Sequence, residues 1–217
     1  MGGAFGKQRL SSGNTPFNEL SFLFEQLLGR MNVATLVKVV AVHTEGRTAA
    51  VGTVDVTPLV NQVDGAGNPW PHATIYGIPF FRIQGGANAV ICDPHPGDVG
   101  FCVFADRDLS SVKAAGGTAA NPGSDRRFDL ADGLFFGGWN PGTAPARFIV
   151  VDDAGVTIDA GSAAAEVKAG SLTINCDVTI NGKLTATGAI VGAGHNLSTH
   201  VHPGVTSGSS STGGPVG

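Results

Sequence analysis

Charge is scarce in this chain. Of 217 residues, 13 are Lys or Arg and 17 are Asp or Glu, and the net charge is −4. A mildly acidic chain with no basic cluster lacks the electrostatic footprint that nucleic acid binding needs. Cysteine is scarce as well. Cys92, Cys102 and Cys176 are an odd number at wide spacings. They form neither a zinc nor a redox pattern and read as small buried hydrophobes in a protein folded in a reducing compartment. No run approaches the roughly 20 apolar residues of a membrane helix. The opening MGGAFGKQRL has no apolar stretch of the kind a secretion signal carries. Catalytic patterns are missing too: there is no GxSxG, no HExxH, no phosphate loop and no acidic pair in a plausible order. The expectation is a protein that is not an enzyme.

What the chain does have is glycine, 33 of them, with much Val, Thr and Ala. That composition points to β structure with many turns rather than to helices. One helix is expected near the start, from Pro16 to Arg30. Thr15 is placed to cap it and Pro16 to open it. Phe17, Leu20, Phe24, Leu27, Leu28 and Met31 then recur at spacings of three and four. So large a stripe must bury against something, in this chain or in a partner.

From Ala34 the period becomes two. Strands are expected on both sides of Glu45-Gly46-Arg47, and again at 73–75, 78–83, 90–92 and 99–104. About five short strands in some 75 residues suggest a small barrel, with the OB fold the natural candidate on strand count. Residues 113–146 carry little period and read as a long loop anchored by Leu134, Phe135, Phe136 and Trp139. Two polar clusters, Asp106-Arg107-Asp108 and Ser124-Asp125-Arg126-Arg127, read as a carboxylate and arginine network at a boundary.

After Pro145 short pieces recur: Val156-Thr-Ile-Asp, Leu172-Thr-Ile-Asn, Val178-Thr-Ile-Asn and Leu184-Thr-Ala-Thr. This is a repeat, irregular in period. Strands this short cannot bury an apolar face within one chain of about 50 residues. They stack as a solenoid or wrap three copies about one axis, and the length favours the trimer. The apolar face would fill the axis and the threonine face would meet solvent.

Three of the six histidines fall in GHNLSTHVHPGV, residues 194–205. In an extended segment His200 and His202 point to one face and Val201 to the other. Three chains would then bring together six imidazoles in two layers. Zinc prefers four ligands, so a six-nitrogen set favours Fe²⁺, with Ni²⁺ and Co²⁺ as alternatives in vitro. With no open position, such a metal is structural. His195, at an odd separation from His200, falls on the other face and is read as a non-ligand. His72 and His95 sit among prolines and read as turn residues.

Several stretches together carry a resemblance: 47–51 with 54–61, Pro96-Gly-Asp-Val-Gly, Cys102-Val-Phe-Ala-Asp-Arg-Asp, Ser124-Asp-Arg-Arg-Phe-Asp-Leu-Ala-Asp-Gly, Phe136-Gly-Gly-Trp-Asn-Pro and the histidine-rich end. In this order they resemble the baseplate central spike proteins, or membrane-piercing tail spikes, of contractile-tailed phages, over about residues 33–217. The resemblance implies a mainly β homotrimer with an OB-fold barrel followed by an intertwined triple-stranded β-helix. It implies a tip closed by one iron (Fe2+) per trimer, shared by His200 and His202 of three chains. The domains would be 1–32, a segment and helix for docking on the tail hub; 33–145, the OB-fold domain with its long loop; 146–193, the β-helix; and 194–217, the metal-binding tip. Such a spike sits in the virion at the tip of the tail baseplate. It contacts hub or baseplate proteins through its N-terminal helix and OB-fold domain, and meets the host outer membrane transiently when the sheath contracts. The alternatives are a trimeric receptor-binding fibre or adhesin, and the spike of a contractile bacteriocin or secretion device. A fibre would carry a bulky head, whereas the residues after His202 are nearly all small.

Overall fold

The computed structural model describes residues 13, 15–46, 48–64, 66–139, 142–197, 204 and 208. The first described element is α1, Pro16–Leu28. Thr15 is its N-cap: the backbone is extended there, and the hydroxyl accepts the N–H of Asn18 at 3.2 Å. Regular helix stops two residues short of the expected Arg30, at Gly29. Looser turns carry the winding on, with Arg30 N–H donating to Leu27 O and Met31 N–H to Leu28 O. No residue of α1 is buried.

The strands follow: β1 (Ala34–His43), β2 (Thr53–Pro58), β3 (Gln62–Val63), β4 (Pro69–Trp70), β5 (Ile75–Pro79), β6 (Ile83–Gly85), β7 (Asn88–Val90) and β8 (Val99–Phe104). A five-residue helix α2 (Ser110–Ala114) and a 3-10 turn (Leu130–Asp132) lead to β9 (Gly133–Phe136). Three hairpin pairs, β3–β4, β6–β7 and β10 (Phe148–Asp152) with β11 (Gly155–Asp159), stand apart from the main sheet. A last small hairpin pairs β12 (Val191–Gly192) with β13 (His195–Asn196).

The main sheet has five strands in the order β5-β2-β1-β8-β9, all neighbours antiparallel. It curls until its two edges meet. Phe80 bridges Phe135 in parallel, and Phe81 N–H donates to Phe135 O at 2.8 Å. The result is a curled five-strand half-barrel. Register shifts in β1 between Val39 and Ala41, and in β2 between Val54 and Val56, supply the bend that curling requires.

The alternation read in the sequence sets the core. Val37 and Val39 of β1, Val54 and Val56 of β2, Ile78, Phe80, Cys102, Phe104 and Phe135 are all buried together. Phe135 fills the bore because Gly100 gives it room. A Cβ on Gly100 would strike Phe136 O and lie 2.8 Å from the Phe135 ring. β9 is the strand that residues 113–146, read as a loop, conceal. It is four residues long, begins at Gly133 and is followed by Gly137, too short a window for alternation to register. Only Gly133 and Phe135 turn fully inward.

Candidate functional site

The part of the chain after β11 is built on a different plan. Residues 160–190 contain no helix or strand. Among the described residues, no backbone hydrogen bond is made within the chain by residues 164–189. The backbone bends at Gly170, Cys176, Asn181-Gly182 and Thr187-Gly188. These bends reveal a six-residue repeat: GSLTIN, CDVTIN, GKLTAT, GAIVGA. The sequence had shown the pieces but not the constant period. Six is an even number, so the two-residue alternation stays in phase across every bend. Leu172, Ile174, Val178, Ile180, Leu184 and Ile190 fall on even positions, and Thr173, Asn175, Asp177, Thr179 and Thr185 on odd ones. Each of those six apolar side chains is exposed. The arm thus has one continuous apolar face and backbone groups that the described residues of its own chain leave unsatisfied.

A hairpin lies at each end of this arm. In β10–β11, Ile149 pairs with Ile158 and Val151 with Val156, so four aliphatic side chains share one face. They are 68–75% exposed. In β12–β13 the turn is Ala193-Gly194, both at positive φ (48° and 82°), as a tight hairpin turn requires. Leu197 N–H donates back to Ile190 O at 2.8 Å. His195 opens β13 opposite Gly192, with its side chain exposed.

The cysteines divide accordingly. Cys102 is in the barrel core, where burial pushes its thiol up to about 12. Cys92 and Cys176 are exposed, contrary to the reading of all three as buried. Cys176 occupies the glycine position of the repeat, on the apolar face of the arm.

The polar clusters do come together, though not as whole clusters. Arg126 donates from Nε to Asp132 Oδ2 at 2.7 Å and from Nη2 to Asp108 Oδ1 at 2.7 Å. Asp108 also accepts from the Ser124 hydroxyl at 2.6 Å and from Ser110 N–H at 2.8 Å. Asp132 Oδ1 accepts Leu109 N–H at 2.9 Å. Hydrogen bonds from Ser124 and Ser110, with the Arg126 charge, hold Asp108 down at about 2. The Arg126 hydrogen bond lowers Asp132, and Asp132 in turn raises Arg126. Both carboxylates are therefore ionised at neutral pH and fully engaged, which suits a clamp and not proton transfer. The clamp ties residues 108–132 to the end of the barrel. Asp132 was missed because the sequence gives no local cue that a residue in the next segment completes the network.

Two further pairs were also missed. Arg82 grips Asp93 with two hydrogen bonds, 2.9 and 2.6 Å, and donates to Ala49 O at 2.8 Å. His43 Nε2 lies 2.9 Å from Asp55 Oδ2, and Gly77 N–H donates to Asp55 Oδ1. These bonds, the one to His43 first, lower the Asp55 carboxyl. His72 lies between β4 and β5, and His95 closes a turn in which its N–H donates to Asp98 Oδ2. No cluster of three metal-ligating side chains occurs among the described residues. His200 and His202, the expected ligands, lie outside the described residues. No helix among the described residues is long and apolar enough to cross a membrane.

A barrel that buries its core is followed by a repeat arm whose large apolar side chains are exposed. Residues 197–216 match the GpV Apex motif, the tip motif of phage P2 gpV baseplate central spike proteins. The motif is one found in phage tail spike proteins, and it spans 20 of the 217 residues. The match covers both His200 and His202. No curated protein matches the chain.

Proposed function

We propose that three copies of this chain form the central spike of a contractile tail baseplate, which pierces the host outer membrane when the sheath contracts. The observation that carries this reading is the arm. Its hexad repeat presents an unbroken apolar face and unpaired backbone, and leads directly into the apex motif. Three arms wound about one axis would bury the even-numbered side chains and pair the free backbone groups between chains. A wound shaft has no open sheet edge, and a needle gains stiffness from that.

The barrel would form an OB-fold collar. Its strand order, closed by the parallel Phe80–Phe135 bridge, supports that reading. Collar and α1 together would face the tail hub. At the opposite end His200 and His202 of three chains would hold one iron. The donor set fits: six neutral imidazoles fill an octahedral first-row metal and leave no ligand position for chemistry. The ion would hold three chain ends together where they otherwise fray. The spike of a bacteriocin or secretion device would be built in the same way.

Sedimentation and elemental analysis of the purified protein test this. The expected species has three times the chain mass of 21.9 kDa and one iron per three chains. His200→Ala with His202→Ala should remove the iron and leave the barrel folded. A stable monomer would sink the shaft, and undiminished iron in the double variant would move the site elsewhere.

A further inference from the structure

The stripe on α1 is left uncovered by the barrel of its own chain. Phe17 is 77% exposed, and Leu20, Leu23, Phe24, Leu27 and Leu28 are all more than half exposed. The spacing of the stripe is informative. Phe17, Leu20, Phe24 and Leu27 follow one another at intervals of three, four and three. That is the alternation of a and d positions in a heptad, the pattern with which helices pack on helices. Leu23 and Leu28 then take the flanking g and e positions and widen the face beyond a two-helix seam. Asn18, Glu19, Glu25 and Gln26 hold the b and c positions, away from the seam. No acidic residue stands at a, d, e or g, so identical copies would not repel one another across it.

We propose that the α1 helices of three copies pack on each other as a short three-helix coiled coil on the axis of the assembly. This rests on the trimer proposed above. A helix of 13 residues is marginal alone, since isolated helices of fewer than about 12–15 residues barely form in water. It needs partners already gathered beside it. Three chains joined through their arms meet that condition by raising the local concentration of the other two helices. The link to the barrel is short and fixed in place: Met31 to Val33 lead straight into β1, and Asn32 Nδ2 donates to Phe128 O at 2.8 Å. Each helix therefore starts from a set point on its own barrel. The tail hub would then meet the outer, polar side of a finished bundle and not three separate apolar stripes.

The test uses the full chain with Cys92→Ser and Cys176→Ala, so that only buried Cys102 remains. Phe24→Cys, at an a position, and Gln26→Cys, at a c position, are each treated with a short bifunctional maleimide, with no baseplate protein present. Leu20→Cys serves as a second seam variant where Phe24→Cys weakens the helix. A trimer by sedimentation in which a seam cysteine links chains about tenfold faster than Gln26→Cys supports the bundle. A trimer in which seam and outer cysteines link equally slowly overturns it, and leaves the stripe for the barrel of another copy or for a different protein. A monomer overturns the trimer reading and the bundle with it.

Discussion

The barrel and the arm use the same residue types to opposite ends. In the barrel, Val37, Val39, Val54, Val56 and Ile78 take the inward positions of their strands and are fully buried, because four neighbouring strand pairings fold the sheet onto itself. In the arm, Leu172, Ile174, Val178 and Ile180 alternate with Thr and Asn just as regularly, and all are exposed. Hydrophobic alternation thus declares that a face will be buried without declaring in which molecule. What differs is the return path. The barrel strands are joined by turns that bring each strand back beside an earlier one. The arm bends every six residues and makes no such return.

The sharpest way to break this contrast is a charge on the arm. Ile180→Asp would place three unpaired carboxylates at the axis, each costing about 3 kcal/mol or more. Sedimentation should show monomers, with the barrel's β signal in circular dichroism intact. Thiol titration supplies the complement: the native assembly should present Cys92 alone to a bulky reagent, and the variant both Cys92 and Cys176. A trimer that survives the substitution would mean that the arm is not what joins the chains.

Next in size is the barrel core. Phe135→Ala empties the bore beside Gly100 and should cost about 3–5 kcal/mol. Denaturant unfolding of the barrel should shift by that amount while the trimer persists. Loss of assembly instead would show that the arm depends on the collar.

Arg82→Met removes one partner of a pair whose side chains are 3% and 19% exposed. About 3 kcal/mol should be lost from barrel stability, because the mostly buried Asp93 loses its cationic partner. An unchanged melting temperature would mean that water replaces the guanidinium.

The smallest effect is that of acid on the clamp. Asp108 and Asp132 titrate below the ordinary 3.8 in the folded chain. Their contribution is complete above that value and declines as the pH falls below it, with Asp108 taking up its proton near about 2. Barrel stability should fall over that window, and Asp108→Asn should flatten the fall. Equal acid sensitivity in wild type and variant would assign it to other carboxylates.

The elements that were legible in the sequence are those specified locally. Thr15 and Pro16 announce a helix start, and the structure begins the helix there. The strands expected on either side of 45–47 and at 99–104 appear as β1, β2 and β8. β9 was not legible, because three residues between Gly133 and Gly137 carry too little pattern. Nor was the partnership of Arg126 with Asp132, since a 3-10 turn and a crossing loop bring them together.

By itself the sequence determined which faces are apolar, where the chain turns, and that the end at 197–216 carries a spike tip motif. Those properties reside in side-chain chemistry and spacing, and survive in an unfolded chain. Only the tertiary structure decided which apolar faces are satisfied at home. The sheet closes through Phe80 and Phe135 and consumes the barrel's faces, while α1 and the arm keep theirs open. Burial is a property of what lies opposite a side chain, and the residues opposite belong to distant segments or to other chains.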